Sequence, residues 1–197
     1  MTDFTKKAMI DSFARILKGK PFEKITISDI TSECGVSRMT FYYHFEDIYD
    51  MLHYVIEEKL SAPLSRKFTY ELWRQDYIAV FDAVLQEKEF FSKIFHSVDL
   101  RRIEKYLSAF AHGCVAKIVE EQISLLHLNL DECSVKMICD IYSYSMVGLL
   151  LDWISMGMRD DPTALVGKYC NMIKGTMELS LKNASVEYQS GLTIYKQ

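Results

Sequence analysis

The sequence predicts an all-α protein with a small N-terminal three-helix unit and a larger helical C-terminal unit. Three observations carry that reading. Apolar residues recur at helical spacing, as at Met9, Phe13, Ile16 and Leu17, which line one face of a helix. Proline and glycine number 3 and 8 in 197 residues, too few for a turn-rich β fold or long linkers. Cap residues bracket two very short helices near the N-terminus. A composition of 49% apolar and 25% charged residues excludes wholesale disorder. The formal net charge of −4 argues against a protein coated in nucleic acid, while leaving room for a small reading surface on an acidic body.

The first helix ends at Gly19 and Pro21. Thr26 is then an N-cap with Asp29 three residues on, a capping-box pattern, and Ile25 and Ile30 form the hydrophobic staple around it. That helix turns Ile30 and Cys34 inward and stops at Gly35, the residue suited to a left-handed C′ position. Ser37 is a second N-cap, Val36 and Phe41 a second staple, and a helix over 38–45 puts Phe41 and Phe45 on one face. A fourth helix runs from Asp47 to Ala62, with Ile48, Met51, Leu52, Val55 and Lys59 on its inner line, and Pro63 ends it. Longer helices are predicted over 73–86, 88–96, 100–126, 131–158 and 162–182, with Asp131 and Asp161 as N-caps of the last two. The greasiest stretch, 138–158, has only 11 uncharged residues between Asp140 and Asp152, against the 18 or so of a membrane span, so it reads as a buried core helix. From Ala184 to Gln197 periodicity lapses and a flexible tail is expected. The chain therefore divides into 1–52, 53–183 and a tail at 184–197.

Two short helices joined by Gly35-Val36-Ser37 make a helix-turn-helix. The second presents Ser37, Arg38, Met39, Thr40, Tyr43 and His44 outward, with Tyr42 at its flank. A guanidinium, hydroxyls, an imidazole and an aromatic edge on one helix suit a DNA major groove. Arg38 stands at the N-terminal end, where recognition helices meet base edges. Thr26, Ser28 and the helix start beside them offer N–H and O–H donors to phosphates. The alternative is a plain helical corner whose aromatics only pack. Charge does not choose between them, since residues 1–50 hold 7 Lys and Arg against 8 Asp and Glu. A phosphate-facing surface would have to come from placement of Lys6, Lys7, Lys20, Lys24 and Arg38.

The run TISDITSECGVSRMTFYYHF at 26–45 resembles the DNA-binding domain of TetR-family transcription regulators. The likeness extends back to Phe22-Glu-Lys-Ile25 and forward to Asp47-Ile-Tyr-Asp-Met-Leu52, about a quarter of the chain. It implies that Thr40, Tyr42 and His44 grip phosphates, that Arg38, Met39 and Tyr43 read bases, and that Ser28 reaches a base in some members. One departure stands out: Ile48 occupies a place where the family often has a phosphate-anchoring Lys, and Glu46 precedes it. The stretch YSYSMVGLLLDWISMGMRDDP at 142–162 is similar to the C-terminal region of a subgroup that includes dihydroxyacetone kinase regulators.

For the C-terminal unit, an effector pocket between helices is expected from Phe81, Phe91, Phe95, Tyr106 and Phe110, with His96 and His112 as polar groups. The plain alternative is that these aromatics are core. Wide apolar faces over the last two long helices, with Tyr142, Met146, Leu150, Trp153, Tyr169, Ile173 and Met177, resemble the family's four-helix dimer interface. The reading is a homodimeric regulator, a repressor by family habit, on a palindromic double-stranded DNA operator. A small-molecule effector or protein coactivator would switch it. The alternatives are an activator needing a coactivator, or a helical adaptor that has lost DNA binding. Five cysteines without CxxC spacing read as free thiols in a reducing cytosol, and the N-terminus has no signal-peptide pattern. No GxGxxG, P-loop, HExxH or GxSxG motif is present, so neither an enzyme nor a cofactor nor a metal site is expected.

Overall fold

The computed structural model describes residues 2–64, 68–97 and 100–194. In chain order the described helices are α1 (Thr2–Gly19), α2 (Ile27–Cys34), α3 (Arg38–His44), α4 (Ile48–Lys59), α5 (Ser61–Leu64), α6 (Trp73–Gln86), α7 (Lys88–Ser97), α8 (Leu100–Leu125), α9 (Glu132–Ser155), α10 (Pro162–Met172) and α11 (Thr176–Ile194), with one 3-10 turn at Phe22–Lys24. No strand occurs among the described residues, so the fold is all-α.

The short helices form where their caps dictate. The Thr26 side chain accepts from the Asp29 N–H while the Asp29 carboxylate accepts from the Thr26 N–H, a complete capping box. Gly35 closes α2 at φ +70°, a conformation that a Cβ would strain. Ser37 caps α3 through the Thr40 N–H. Asp47 caps α4 through the N–H groups of Tyr49 and Asp50.

Packing then joins the two units. Met9, Phe13 and Leu17 of α1 meet Phe22, Ile30, Phe41 and Phe45, and this cluster continues without interruption through Met51, Leu52, Val55 and Ile56 of α4 into Tyr77, Phe81 and Trp153. Its centre in the larger unit is aromatic: Phe81 and Trp153 lie 4.8 Å apart between ring centroids. Their polar edges are satisfied nearby, with the Trp153 indole donating to the Asp160 carbonyl and the Tyr77 hydroxyl to the Met146 carbonyl. A second cluster, with Val115, Val119, Ile138, Cys139, Tyr142 and Leu181, ties α8, α9 and α11 together. Helix α9 is long and apolar enough by length and composition to cross a membrane, yet its inner line from Ile138 to Ile154 is buried against neighbouring helices.

Three boundaries differ from the sequence reading. Pro63 does not stop the chain's helical course but sits inside the single turn of α5, where a first-turn residue needs no N–H partner. The helix predicted over 162–182 is interrupted at 173–175, where Gly175 takes φ +75°. Backbone helix also continues past Ala184 to Ile194, since 176–194 contains no proline to stop it; residues 195–197 lie outside the described ones.

Candidate nucleic-acid interface

Helix α3 is split cleanly by burial. Phe41 has no exposed surface and Phe45, its C-cap, is 3% exposed, whereas Met39 is 79% and Tyr43 75% exposed. Ser37, Arg38 and Tyr42 are exposed beside them, and Thr40 and His44 are half-buried. Large apolar groups left in water at this density on one short helix mark a contact surface. Two ring pairs stiffen it: Tyr42 stands edge-on to Phe41, and Tyr43 edge-on to His44 at 5.0 Å. The Thr40 hydroxyl is 2.9 Å from Ser37 Oγ, so both hydroxyls belong to the cap of α3 and share one hydrogen bond.

The cations near this surface are unequally free. Lys20 is bound to Asp29 at 2.6 Å, and with the Thr26 cap it holds the Asp29 carboxyl at about 2, well below its ordinary range. Arg15 pairs with Glu33. Lys6 lies 3.4 Å above the Tyr54 ring. Among the described residues Lys6, Lys7, Lys18, Lys24 and Arg38 have no ion-pair partner. Arg38 is therefore the cation of the exposed α3 face, with Ser28 and Thr26 exposed at the start of α2.

Helix α4 connects this head to the body through a contact that sequence reasoning missed. Arg102 of α8 lies 4.2 Å over the Tyr49 ring and 4.0 Å from the Asp47 carboxylate. One turn on, the Tyr106 hydroxyl donates to Glu57 at 2.5 Å and its ring stacks on His53 at 4.2 Å. Burial holds the His53 imidazole below its usual range. The i, i+4 spacing of Arg102 and Tyr106 was visible in the sequence, but nothing there named their partners fifty residues away.

The expected pocket residues separate. Tyr106 and Phe110 line an apolar cavity of about 60 Å³ together with Ile56 and Leu60 of the α4–α5 segment, Tyr77, Val80 and Leu150. Phe91 and Phe95 line a smaller gap of about 20 Å³, Phe81 is sealed in the core, and His96 is on the surface. His112 lies outside both, 3.4 Å from Asp140. Among the proposed interface residues, Tyr142, Leu150, Trp153 and Tyr169 are buried inside the subunit, while Met146, Ile173 and Met177 are half-buried. The apolar face that α9 leaves in water is instead Met137, Ile141 and Tyr144, each nearly 60% exposed. The sequence could not tell inner from outer here because α9 is apolar nearly all round. Burial raises the thiols of Cys114, Cys139 and Cys170, that of Cys114 to about 11, which leaves them unreactive. Among the described residues no three His, Cys, Asp or Glu side chains converge as a metal would require.

Comparison with known proteins follows this division of the chain. Residues 10–55 match the family model for bacterial regulatory proteins of the tetR family, and residues 71–175 match a transcriptional regulator C-terminal region of the TetR type. The dhaKLM operon transcriptional activator DhaS of Lactococcus lactis is 22% identical over 91 residues, which is 46% of this chain and 49% of DhaS; the matched segment thus spans about half the length of that relative. The solved structure of a dihydroxyacetone kinase operon activator DhaS superposes with a TM-score of 0.63 at 17% identity, over 89% of this chain and 97% of that one. Thermus thermophilus FadR, a TetR-family repressor solved with lauroyl-CoA, gives 0.59 at 16% identity over 85% and 92%. With both units matched in order, and the C-terminal model alone spanning more than half the chain, the protein belongs to the TetR family of transcriptional regulators, with a helix-turn-helix DNA-binding domain at its N-terminus.

Proposed function

We propose that the chain acts in the cytoplasm as a homodimer that reads a palindromic operator with α3 and is switched by a ligand or partner bound in its C-terminal unit. The observation that carries this reading is the division of α3, with Phe41 locked inside and Arg38, Met39 and Tyr43 outside. Arg38 and Tyr43 supply donors for base edges, and Met39 an apolar contact. Thr40, Tyr42, His44, Ser37, Ser28 and Thr26 supply phosphate contacts around them. Dimerisation through Met137, Ile141 and Tyr144 of α9, with Met172 and Leu179 of the last helices, would cover five of the eight large apolar side chains that the described body leaves exposed. It would also set two α3 helices roughly 34–36 Å apart or a multiple of that.

Switching would run through α4. Ile56 and Leu60 face the apolar cavity while Met51 and Leu52 belong to the core beneath α3, so an occupant that moves Tyr106 moves Glu57 and with it the head. Such an occupant acts only if it binds one spacing of the heads better than the other. Repression follows if the ligand-free dimer occupies its operator. The likeness to DhaS, an activator, supports the second reading, in which occupancy recruits transcription instead.

The test is fluorescence anisotropy of the full chain on a duplex selected from its own genome, against a scrambled duplex, at two salt concentrations. The expected discrimination is roughly a thousandfold. It falls by about 5- to 150-fold in Arg38→Ala and in Tyr43→Ala, with an unchanged thermal midpoint. Because five cations of the head, Lys6, Lys7, Lys18, Lys24 and Arg38, are in no ion pair among the described residues, the log–log salt slope should be no steeper than about −4.5 per subunit. Equal weak binding to both duplexes would overturn the reading in favour of an adaptor.

A further inference from the structure

A second cavity, of about 290 Å³, opens where the last helix breaks at 173–175. Its walls come from α6, α8, α9 and the α10–α11 junction. Val115, Ile118, Met146 and Met177 make them apolar, and Trp73 lies along one side. Its charged lining residues are Arg74, Lys174 and a single carboxylate, Glu71, beside Asn171. All three are exposed, and among the described residues neither cation has an ion-pair or hydrogen-bond partner. Arg74 is nevertheless placed: its guanidinium lies over Gly167 of α10, 3.0 Å from where a Cβ would stand. The cavity therefore has greasy walls and an excess of positive charge at one end.

Met146 lines this cavity and the apolar one beside Tyr106. The Tyr77 hydroxyl pins the Met146 carbonyl, so the backbone is held while the thioether chain, a flexible gap-filler, stands between the two spaces. Beside it the partition is apolar throughout, with Phe68, Cys114 and Ile118 packed against Trp73, Phe110 and Met177.

We infer that the two cavities form one bipartite site for an anionic amphiphile, a carboxylate on an unbranched chain. The carboxylate sits between Arg74 and Lys174, and the chain runs past Met146 toward Phe110 and Tyr106. A charge-assisted hydrogen bond from Arg74 fixes the head, and the apolar wall holds the tail without specifying it. The site needs no DNA; only its effect on operator binding rests on the regulator reading above, since the chain would end against the Tyr106–Glu57 contact to α4.

The probes are decanoate, 1-decanol, decylamine and butyrate, titrated into the full chain by calorimetry and by tryptophan emission, to which Trp73 and the buried Trp153 both contribute. Decanoate should bind saturably and at least about tenfold tighter than the alcohol, the amine or the short acid. Arg74→Gln combined with Lys174→Gln should bring decanoate down to the level of decanol and leave decanol unchanged. Gly167→Ala, which keeps both charges but displaces the guanidinium, should weaken decanoate severalfold with a native far-ultraviolet spectrum. Equal binding of acid, alcohol and amine, no dependence on chain length, undiminished binding in the double variant, or no saturable binding at all would each overturn the site. DNA anisotropy on the same samples separates the two readings. Decanoate binding without sequence-specific DNA binding sinks the regulator and keeps the site; the converse sinks the site and keeps the regulator.

Discussion

In the N-terminal head the two helices of the reading motif are 8 and 7 residues long, whereas α8 and α9 of the body are 26 and 24. Helices below about 12–15 residues are marginal in isolation, so the head must be held by caps, staples and a few fully buried rings. The body has length to spare and is held by side-chain packing along whole helix faces. Local signals therefore decide the head, and distant ones decide the body. On the function proposed above, that difference also separates their roles: the head would keep exposed side chains in register with a fixed lattice of base pairs, while the body would admit the ligand.

The comparison breaks if the two regions unfold independently. Phe41 and Phe81 are both without exposed surface and belong to one cluster that passes through α4. Phe41→Ala and Phe81→Ala should each lower stability by about 3–5 kcal/mol, and both should shift one common unfolding transition in urea. Two separate transitions would show that the shared core is not energetically shared.

Removing a cap sharpens the contrast. Thr26→Ala should cost about 1 kcal/mol by thermal denaturation, although Thr26 is exposed. Its partner Asp29 adds a pH signature. The folded carboxyl ionises near 2 against an ordinary 3.8, so its contribution is whole above about pH 4 and fades as pH falls through 2. Asp29→Asn should flatten the acid limb of the melting curve in that window. Tyr106→Phe, which deletes the hydrogen bond to an exposed Glu57, should cost only about 0.5–1 kcal/mol. Its larger effect should appear in ligand titrations, as a weakened link between cavity occupancy and DNA affinity. The smallest change expected is a gain. His127 ends α8 at φ +52° on the surface, so His127→Gly should raise stability by about 0.5 kcal/mol, read as a slightly higher midpoint.

The same contrast explains what the sequence disclosed. Thr26, Asp29, Gly35 and Ser37 act within four residues of themselves, and each of their predicted caps is present in the structure. The exposed set on α3 was legible because Phe41 and Phe45 claim the opposite face. In the body, Trp153 and Tyr142 carry the same apolar signal whether they point into the subunit or out of it. Only the positions of α8, α10 and α11 decide, and those depend on contacts across tens of residues. The break at 173–175 is not legible in the sequence because a lone Gly175 in an apolar helix is tolerated as well as it interrupts. The Tyr106–Glu57 and Arg102–Asp47 contacts were hidden for a related reason: each joins residues about fifty positions apart.

Helix α4 belongs to both units, with Met51 and Leu52 in the core under the head and Ile56 in the wall of the body's cavity. Exchange of reading heads between relatives, in evolution or in the laboratory, is therefore constrained by helical phase. A seam inside α4 that gains or loses one residue turns the grafted head by about 100° and shifts it by about 1.5 Å. In a symmetric pair the two heads would turn together about their own axes and leave the groove on both sides. Chimeras of this protein should accordingly tolerate heads of quite different sequence, provided the join preserves the count of residues between Asp47 and Leu60.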